Sequence, residues 1–215
     1  MRLLDPRNQD AVKIVQGHRF YPDGWRALWD LNFGVGKGQI FCLLGPNESG
    51  KTSAFDIITR KGLVTYGKAY IYGQELKKDL KPIFKTGFCM QSDVLWDYLT
   101  VEQHFNLYCC LLGFGEKETK EAIQYITKAL GMKKYLDKKV RTLSGGTKRK
   151  LSVALAIIGG PEIIVLDEPT TGVDAIGRSQ IWKLLKILAE KKKSTVLIST
   201  HYMEDAELVA DKLGM

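Results

Sequence analysis

One junction constrains this chain more than any other. Ile40-Phe41-Cys42-Leu43-Leu44 is an unbroken apolar run that stops at Gly45-Pro46-Asn47-Glu48-Ser49-Gly50-Lys51-Thr52, and helix-favouring residues continue to Arg60. An apolar run without polar alternation suits a strand buried on both faces, the environment of a parallel sheet. A glycine-rich loop between such a strand and a helix turns successive backbone N–H groups inward as an anion nest, and the helix N-terminus adds partial positive charge. The pattern GxxxxGK[ST] in this context reads as a phosphate-binding loop (P-loop). Lys51 would reach the β- and γ-phosphates of a nucleotide, and the Thr52 hydroxyl would help hold Mg²⁺.

The remaining segments agree with an α/β fold. Short strands are expected at Val12 to Val15, Leu28 to Phe33, Ala69 to Tyr72 and Thr86 to Met90. From Val101 to about Lys128 the apolar residues fall at helical spacing, and Glu118 to Leu130 repeats that period. A further helix should run from the Leu143-Ser144-Gly145-Gly146 segment to Ile158. Buried strands then return at Ile163 to Leu166 and Thr195 to Ser199, with helices from about Ile176 to Glu190 and from Met203 to Leu213. Strand and helix alternate at each end, around an all-helical insert. The expectation is a mainly parallel core sheet, with an N-terminal antiparallel β portion and an inserted α-helical subdomain.

Composition excludes several classes. At 215 residues, 45% hydrophobic and 26% charged, the chain can bury a full core without disulfides or structural metal. The longest nearly apolar stretch, Val153 to Pro161, is far short of the about 18–20 residues that cross a bilayer. Cys42, Cys89, Cys109 and Cys110 form no CxxC pair and read as reduced, buried thiols. The net charge of +8 is spread over short runs at Lys77–Lys78, Lys133–Lys134, Lys138–Lys139, Lys148–Arg149–Lys150 and Lys191–Lys192–Lys193. These read first as a solvated basic surface, then as attraction to an anionic ligand or a cytosolic membrane face. No nucleic-acid motif accompanies them, so no nucleic-acid partner is expected.

Three more elements carry chemistry. Asp167 and Glu168 end a buried strand, which puts them at the ligand edge of a parallel sheet. Asp167 can bind Mg²⁺ through water, and Glu168 can act as general base toward an attacking water. Ser144 is a candidate N-cap, and the helix it opens offers a second anion site next to Gly145 and Gly146. One domain has no evident use for two phosphate sites, whereas two domains packed head to tail could complete each other's nucleotide. His201 directly follows the third buried strand, at the same edge as Asp167, where it could bond the γ-phosphate or orient the base.

Taken in order, GPNESGKT at 45–52, Gln91 after a strand, LSGG at 143–146, IIVLDEP at 163–169, TGVD at 171–174 and the ISTH segment ending at His201 resemble the nucleotide-binding domain of an ATP-binding cassette (ABC) transporter. The likeness covers nearly the whole chain. The longer run LSGGTKRKLSVALAIIGGPEIIVLDEPTTGVD and the later STHYMEDAELVAD look like the A subfamily, whose members mostly move lipids.

The resemblance implies an ATPase that takes ATP and Mg²⁺ and powers transport of lipid or another amphipathic cargo through ATP-dependent dimerisation. Gly45, Pro46, Asn47, Glu48, Ser49, Gly50, Lys51, Thr52 and Ser53 would bind phosphate, and Tyr21 would stack on adenine. Gln91 would link Mg²⁺ or the lytic water to the transmembrane contact, with the segment LWDYLTVEQHF facing that partner. Ser144, Gly145 and Gly146 would touch ATP held by a second nucleotide-binding domain, and Asp174 would lie at the dimer seam. Lys51, Gln91, Glu168 and His201 would serve catalysis, and Thr52, Gln91 and Asp167 the metal. A single domain over 1–215 is implied, with core at 1–91 and 158–215 and helical subdomain at about 92–157. It is expected to be a fragment of a larger membrane transporter, at the cytosolic face of the membrane with the transmembrane domains as partners.

Three departures stand out. Glu48 occupies a position where the family usually has glycine. At about 7 Å and an effective dielectric near 20, its carboxylate would repel each phosphate charge by roughly 2 kcal/mol before screening. A left-handed backbone there would cost a further ~1–2 kcal/mol, unless the side chain points to solvent and escapes most of the electrostatic part. Thr147 replaces the common glutamine after LSGG, and the chain stops at Met215, about where the family starts another strand. Two rival readings follow. One is a non-transport ABC ATPase acting on DNA or ribosomes. The other is a regulatory nucleotide-binding module whose hydrolysis Glu48 impairs.

Overall fold

Two β-sheets of opposite character organise the chain, whose computed structural model describes residues 10–77 and 85–214. In chain order the first elements are β1 (Asp10–Phe20), β2 (Arg26–Gly36), β3 (Ile40–Leu44), α1 (Lys51–Ile58), β4 (Tyr66–Ile71), β5 (Gln74–Glu75) and β6 (Thr86–Cys89). Three helices follow, α2 (Val101–Leu111), α3 (Glu116–Ala129) and α4 (Gly145–Ile157). The chain continues with β7 (Ile163–Asp167), α5 (Ala175–Lys192), β8 (Thr195–Thr200), α6 (Met203–Val209) and β9 (Lys212–Gly214). One sheet is antiparallel in the order β2-β1-β4-β5, and the other is parallel in the order β6-β7-β8-β3-β9. The mixed α/β fold expected from the sequence is the fold observed.

The buried strands are apolar without alternation because each faces two cores. On β7, Ile163 and Val165 pack with Phe55, Ile57 and Ile58 of α1 and with Ile14 and Val35 of the antiparallel sheet. Ile164 and Leu166 point the other way, into a core with Phe105, Leu130, Leu151 and Ile181 from the helices. Each such side chain contributes about 1.5–3 kcal/mol when fully buried. The helical segment between β6 and β7 therefore shares its core with the parallel sheet.

Register sets the ligand edge. Leu44 pairs with Thr200, and Asp167 pairs with Ser199. Strands β3, β7 and β8 thus end within one residue of each other, and the residues that follow them (Gly45, Glu168, His201) leave the sheet at the same edge.

Some expectations are corrected. The helical pattern from Val101 to Lys128 is two helices, because the chain turns at Gly113, whose φ is 78°. The helix expected to reach Leu213 ends at Val209. Asp211 then exchanges bonds with Ile40, its N–H donating to the Ile40 carbonyl at 2.8 Å and its carboxylate accepting the Ile40 N–H at 2.8 Å, which starts β9 beside β3. Cys42, Cys89 and Cys109 are buried as read, but Cys110 is exposed on the outer face of α2. Of the basic pair at 77–78, Lys78 lies outside the described residues, as does Met215.

Candidate functional site

The loop 45–50 leaves β3 and enters α1 at Gly50, the N-cap, with φ 92°. A Cβ at Gly50 would lie 2.3 Å from the Ala27 carbonyl oxygen, so glycine is what lets the loop lie against β2. Glu48 also has a left-handed backbone, φ 66°, while its side chain is exposed. The strained conformation raised from the sequence is thus present, and so is the solvent exposure that weakens its charge. Lys51 is buried, and its Nζ donates to the Gly45 and Pro46 carbonyls at 2.8 and 2.7 Å. Its charge is held under the loop, next to a cavity of about 550 Å³ whose lining includes Pro46, Ser49, Lys51 and His201 together with Leu28 and Leu31.

Asp167 and Glu168 stand at the tip of β7. Asp167 is 1% exposed; one carboxylate oxygen accepts the Thr52 hydroxyl at 2.7 Å and the other accepts the Ser199 hydroxyl. Thr52 itself is exposed, so a buried carboxylate and a solvent-facing hydroxyl meet at one point. Hard oxygen donors open to water fit a Mg²⁺ ion, which keeps several of its own waters. The side chain of Gln91 is not brought to this pair. Gln91 is exposed beyond β6, and among the described residues its side chain makes no hydrogen bond to Thr52 or Asp167.

Glu168 is 4% exposed and left-handed, φ 52°. Its Oε2 meets His201 Nδ1 at 2.9 Å and accepts the Thr171 hydroxyl at 3.4 Å. Its Oε1 is buried without a hydrogen-bond partner, with Lys51 Nζ 3.9 Å away as the adjacent cation. A buried carboxylate oxygen left unsatisfied costs upward of about 1–3 kcal/mol, so such an atom marks a place where a ligand or water belongs. His201 is one-third exposed and packs against the Tyr202 ring at 4.0 Å.

The other anticipated residues lie apart from this cluster. Tyr21 sits in the turn between β1 and β2, with its hydroxyl 3.2 Å from Ser53 Oγ and the Arg19 guanidinium over its ring at 4.8 Å. Trp25, which the sequence reading passed over, stacks on Tyr21 with centroids 5.6 Å apart and is itself half exposed. Ser144 caps α4 by accepting the Thr147 N–H at 3.3 Å, and Ser144 and Gly145 are exposed. Gly146 presses on the loop after β7; a Cβ there would lie 2.5 Å from the Gly172 carbonyl oxygen. Asp174 caps α5, accepting the Gly177 N–H at 3.0 Å. Among the described residues no hydrogen bond or ion pair joins 144–146 to the phosphate loop.

Further residues were not anticipated at all. Asp205 is buried and accepts bonds from the Thr170 hydroxyl at 3.0 Å and the Trp182 indole at 3.2 Å, tying α6 to α5 and to the loop after β7. The basic run 148–150 is not the solvated face expected of it, because Arg149 is 3% exposed. Its core-facing position was legible, since Arg149 shares a helical stripe with Val153 and Ala156, at steps of about four and three residues. Burial, helped by Glu168 and Asp205, pushes the Cys42 thiol up to about 12, and burial pushes Cys89 to about 12 although Arg149 opposes it.

Residues 28–171 match the family model described as ABC transporter. The chain belongs to the ABC transporter family. This cassette is 39% identical over 190 residues to the human phospholipid-transporting ATPase ABCA3, a match that covers 88% of the chain and 11% of that relative. The chain therefore spans about a tenth of the length of the curated relatives it matches. The dimeric structure of MJ0796, a bacterial ABC transporter cassette, superposes with a TM-score of 0.82 at 26% identity, over 92% of this chain and 91% of that one. A post-hydrolysis dimer of the same cassette bound to ADP and Pi superposes at 0.81 and 27% identity, with the same coverage of both chains. ABC cassettes are ATP-binding ATPase modules, and the resemblance noted in the sequence is therefore correct, including its lean toward the A subfamily. Among the described residues no helix is long and apolar enough to cross a membrane.

Proposed function

We propose that this cassette hydrolyses Mg-ATP at the edge formed by β3, β7 and β8, and that the reaction drives a membrane transporter of phospholipid-like cargo. The observation that carries the chemistry is Glu168 Oε1: buried, unpartnered, 3.9 Å from Lys51 Nζ, on a carboxylate whose other oxygen is held by His201 and Thr171. One oxygen is anchored and the other is free to take a proton. Lys51 would leave the loop carbonyls and bind the β- and γ-phosphates, the loop amides would hold the rest of the triphosphate, and Tyr21 would carry the adenine. Thr52 and Asp167 would hold Mg²⁺, which supplies charge neutralisation on the phosphates. Water then attacks the γ-phosphorus, its proton passes to Glu168, and the bond to the β-phosphate oxygen breaks to give ADP and Pi. Gln91, in the loop toward the exposed Val94, Trp96 and Tyr98, would report occupancy to the membrane partner.

Dimerisation is supported by the exposed Ser144 and Gly145 at the N-terminus of α4, and by the dimeric neighbour. The phospholipid class is supported by the likeness to a phospholipid-transporting ATPase, and the cytosolic face of the membrane by that relative's being a transporter. The boundary between a core and a helical subdomain at about 92–157 is part of the same reading. The reading is tested with Glu168→Gln in the full-length protein. ATP binding should persist, phosphate release should fall by about 10²–10⁴-fold, and dimers should accumulate. Undiminished phosphate release rejects the assignment.

A further inference from the structure

Resting on that reading, we propose that Arg149 is a positioning residue for hydrolysis: from α4 it clamps the tip of β7 to the loop after β6, and so sets where the Glu168 carboxylate stands. Arg149 Nε donates to the Glu168 carbonyl at 3.2 Å and Nη2 to the Asp167 carbonyl. Nη1 donates to the Met90 carbonyl at 2.6 Å, the Gln91 carbonyl at 3.1 Å and the Asp93 carboxylate at 3.0 Å. Every guanidinium nitrogen is used, and the chain segments it joins come from distant parts of the sequence.

The geometry explains why an arginine is needed. The peptide between Asp167 and Glu168 is the one whose orientation φ 52° at Glu168 describes, a conformation that L-residues resist. Arg149 grips the carbonyl before that residue and the carbonyl after it, while the Glu168 N–H donates to the Ser199 hydroxyl at 2.9 Å. Held on both sides, the backbone has no freedom to relax toward a right-handed turn, and the side chain stays aimed at Lys51 and His201. A lysine has one nitrogen and cannot span acceptors on both loops, whereas the rigid fork of a guanidinium can. Asp93, which also accepts the Ser152 hydroxyl at 2.8 Å, supplies the counter-charge and fixes the loop side of the clamp.

The test uses the full-length protein with Arg149→Lys, Asp93→Asn and Glu168→Gln, read by kcat, KM for ATP and thermal unfolding. Arg149→Lys is expected to lower kcat at least tenfold and Asp93→Asn about three- to tenfold, with KM within twofold of the parent for both. In a Glu168→Gln background neither should lower the residual rate further, because the residue they position is already gone. A folded Arg149→Lys protein with unchanged kcat overturns the proposal. So does a loss in which kcat and KM move together with melting temperature, which is the mark of general loosening, seen also in Asp93→Asn. If Glu168→Gln abolishes turnover while both clamp variants are normal, the clamp alone is wrong; if Glu168→Gln turns over normally, the base assignment has failed and the clamp falls with it.

Discussion

Glu48→Gly separates two effects that the sequence alone leaves entangled. The backbone at 48 is left-handed, φ 66°, and its side chain is exposed. Relief of the left-handed strain is worth ~1–2 kcal/mol, and the added chain entropy of glycine takes back ~0.5–1 kcal/mol, for a net gain between about 0 and 1.5 kcal/mol, centred near ~0.8 kcal/mol. For a chain of this size the central value is a rise of about 1–4 °C in Tm. The charge effect is smaller than a buried-site value implies. Exposed at about 7 Å, the carboxylate repels each phosphate charge by roughly 0.6 kcal/mol at the dielectric of water, not the roughly 2 kcal/mol of a site near 20. Physiological salt about halves it again, so doubly charged Mg-ATP should bind about twofold tighter, and less so at high salt. The assays are thermal unfolding without nucleotide and calorimetric titration of Mg-ATP at low and high salt. Glu48→Gln is the control: it keeps the strained backbone and removes the charge, so it should gain affinity without gaining Tm. Equal Tm gains in the two variants, or unchanged affinity in both, would refute this partition.

Other outcomes follow from geometry. With thiols at about 12, Cys42 and Cys89 hold a thiolate fraction near 10⁻⁴ at pH 8 and are buried, whereas Cys110 is exposed, so iodoacetamide on the native protein should label Cys110 first, as peptide mass spectrometry would reveal. Gly146→Ala forces a methyl to within 2.5 Å of the Gly172 carbonyl oxygen, and should cost about 1–3 kcal/mol in chemical denaturation while also weakening dimer formation. His201→Ala frees the anchored Glu168 oxygen, and should lower kcat more than it changes KM in steady-state assays. Because Trp25 stacks on Tyr21, Mg-ATP should change its emission in the parent and not in Trp25→Phe.

What the sequence disclosed was whatever is local or bound to a strand end. The phosphate loop is contiguous, and Asp167, Glu168 and His201 are read from where apolar runs stop; the shared sheet edge then brings them together. The hidden parts depend on tertiary pairing. Ser199 lies inside an apolar strand, and only its register opposite Asp167 turns its hydroxyl onto that carboxylate. Arg149 sits between two lysines in a basic run, where only its spacing from Val153 and Ala156 marks the buried stripe of α4 and nothing marks its partners. Trp25 carries no signal in the sequence, because its stacking on Tyr21 exists only once the hairpin has closed. The strand Lys212–Gly214 is too short for any periodicity to separate it from the helix before it.

The left-handed turn at Glu168 also bears on how such a chain could change over time. Asparagine or glycine would sit in that backbone at least as comfortably as glutamate. Replacement of Glu168 therefore carries no backbone penalty at the position itself, and what it costs is the carboxylate's contacts with His201, Thr171 and Lys51. On the proposed reading, backbone fit and turnover are under separate control at this residue, so a copy without the carboxylate would keep its shape and lose only its chemistry.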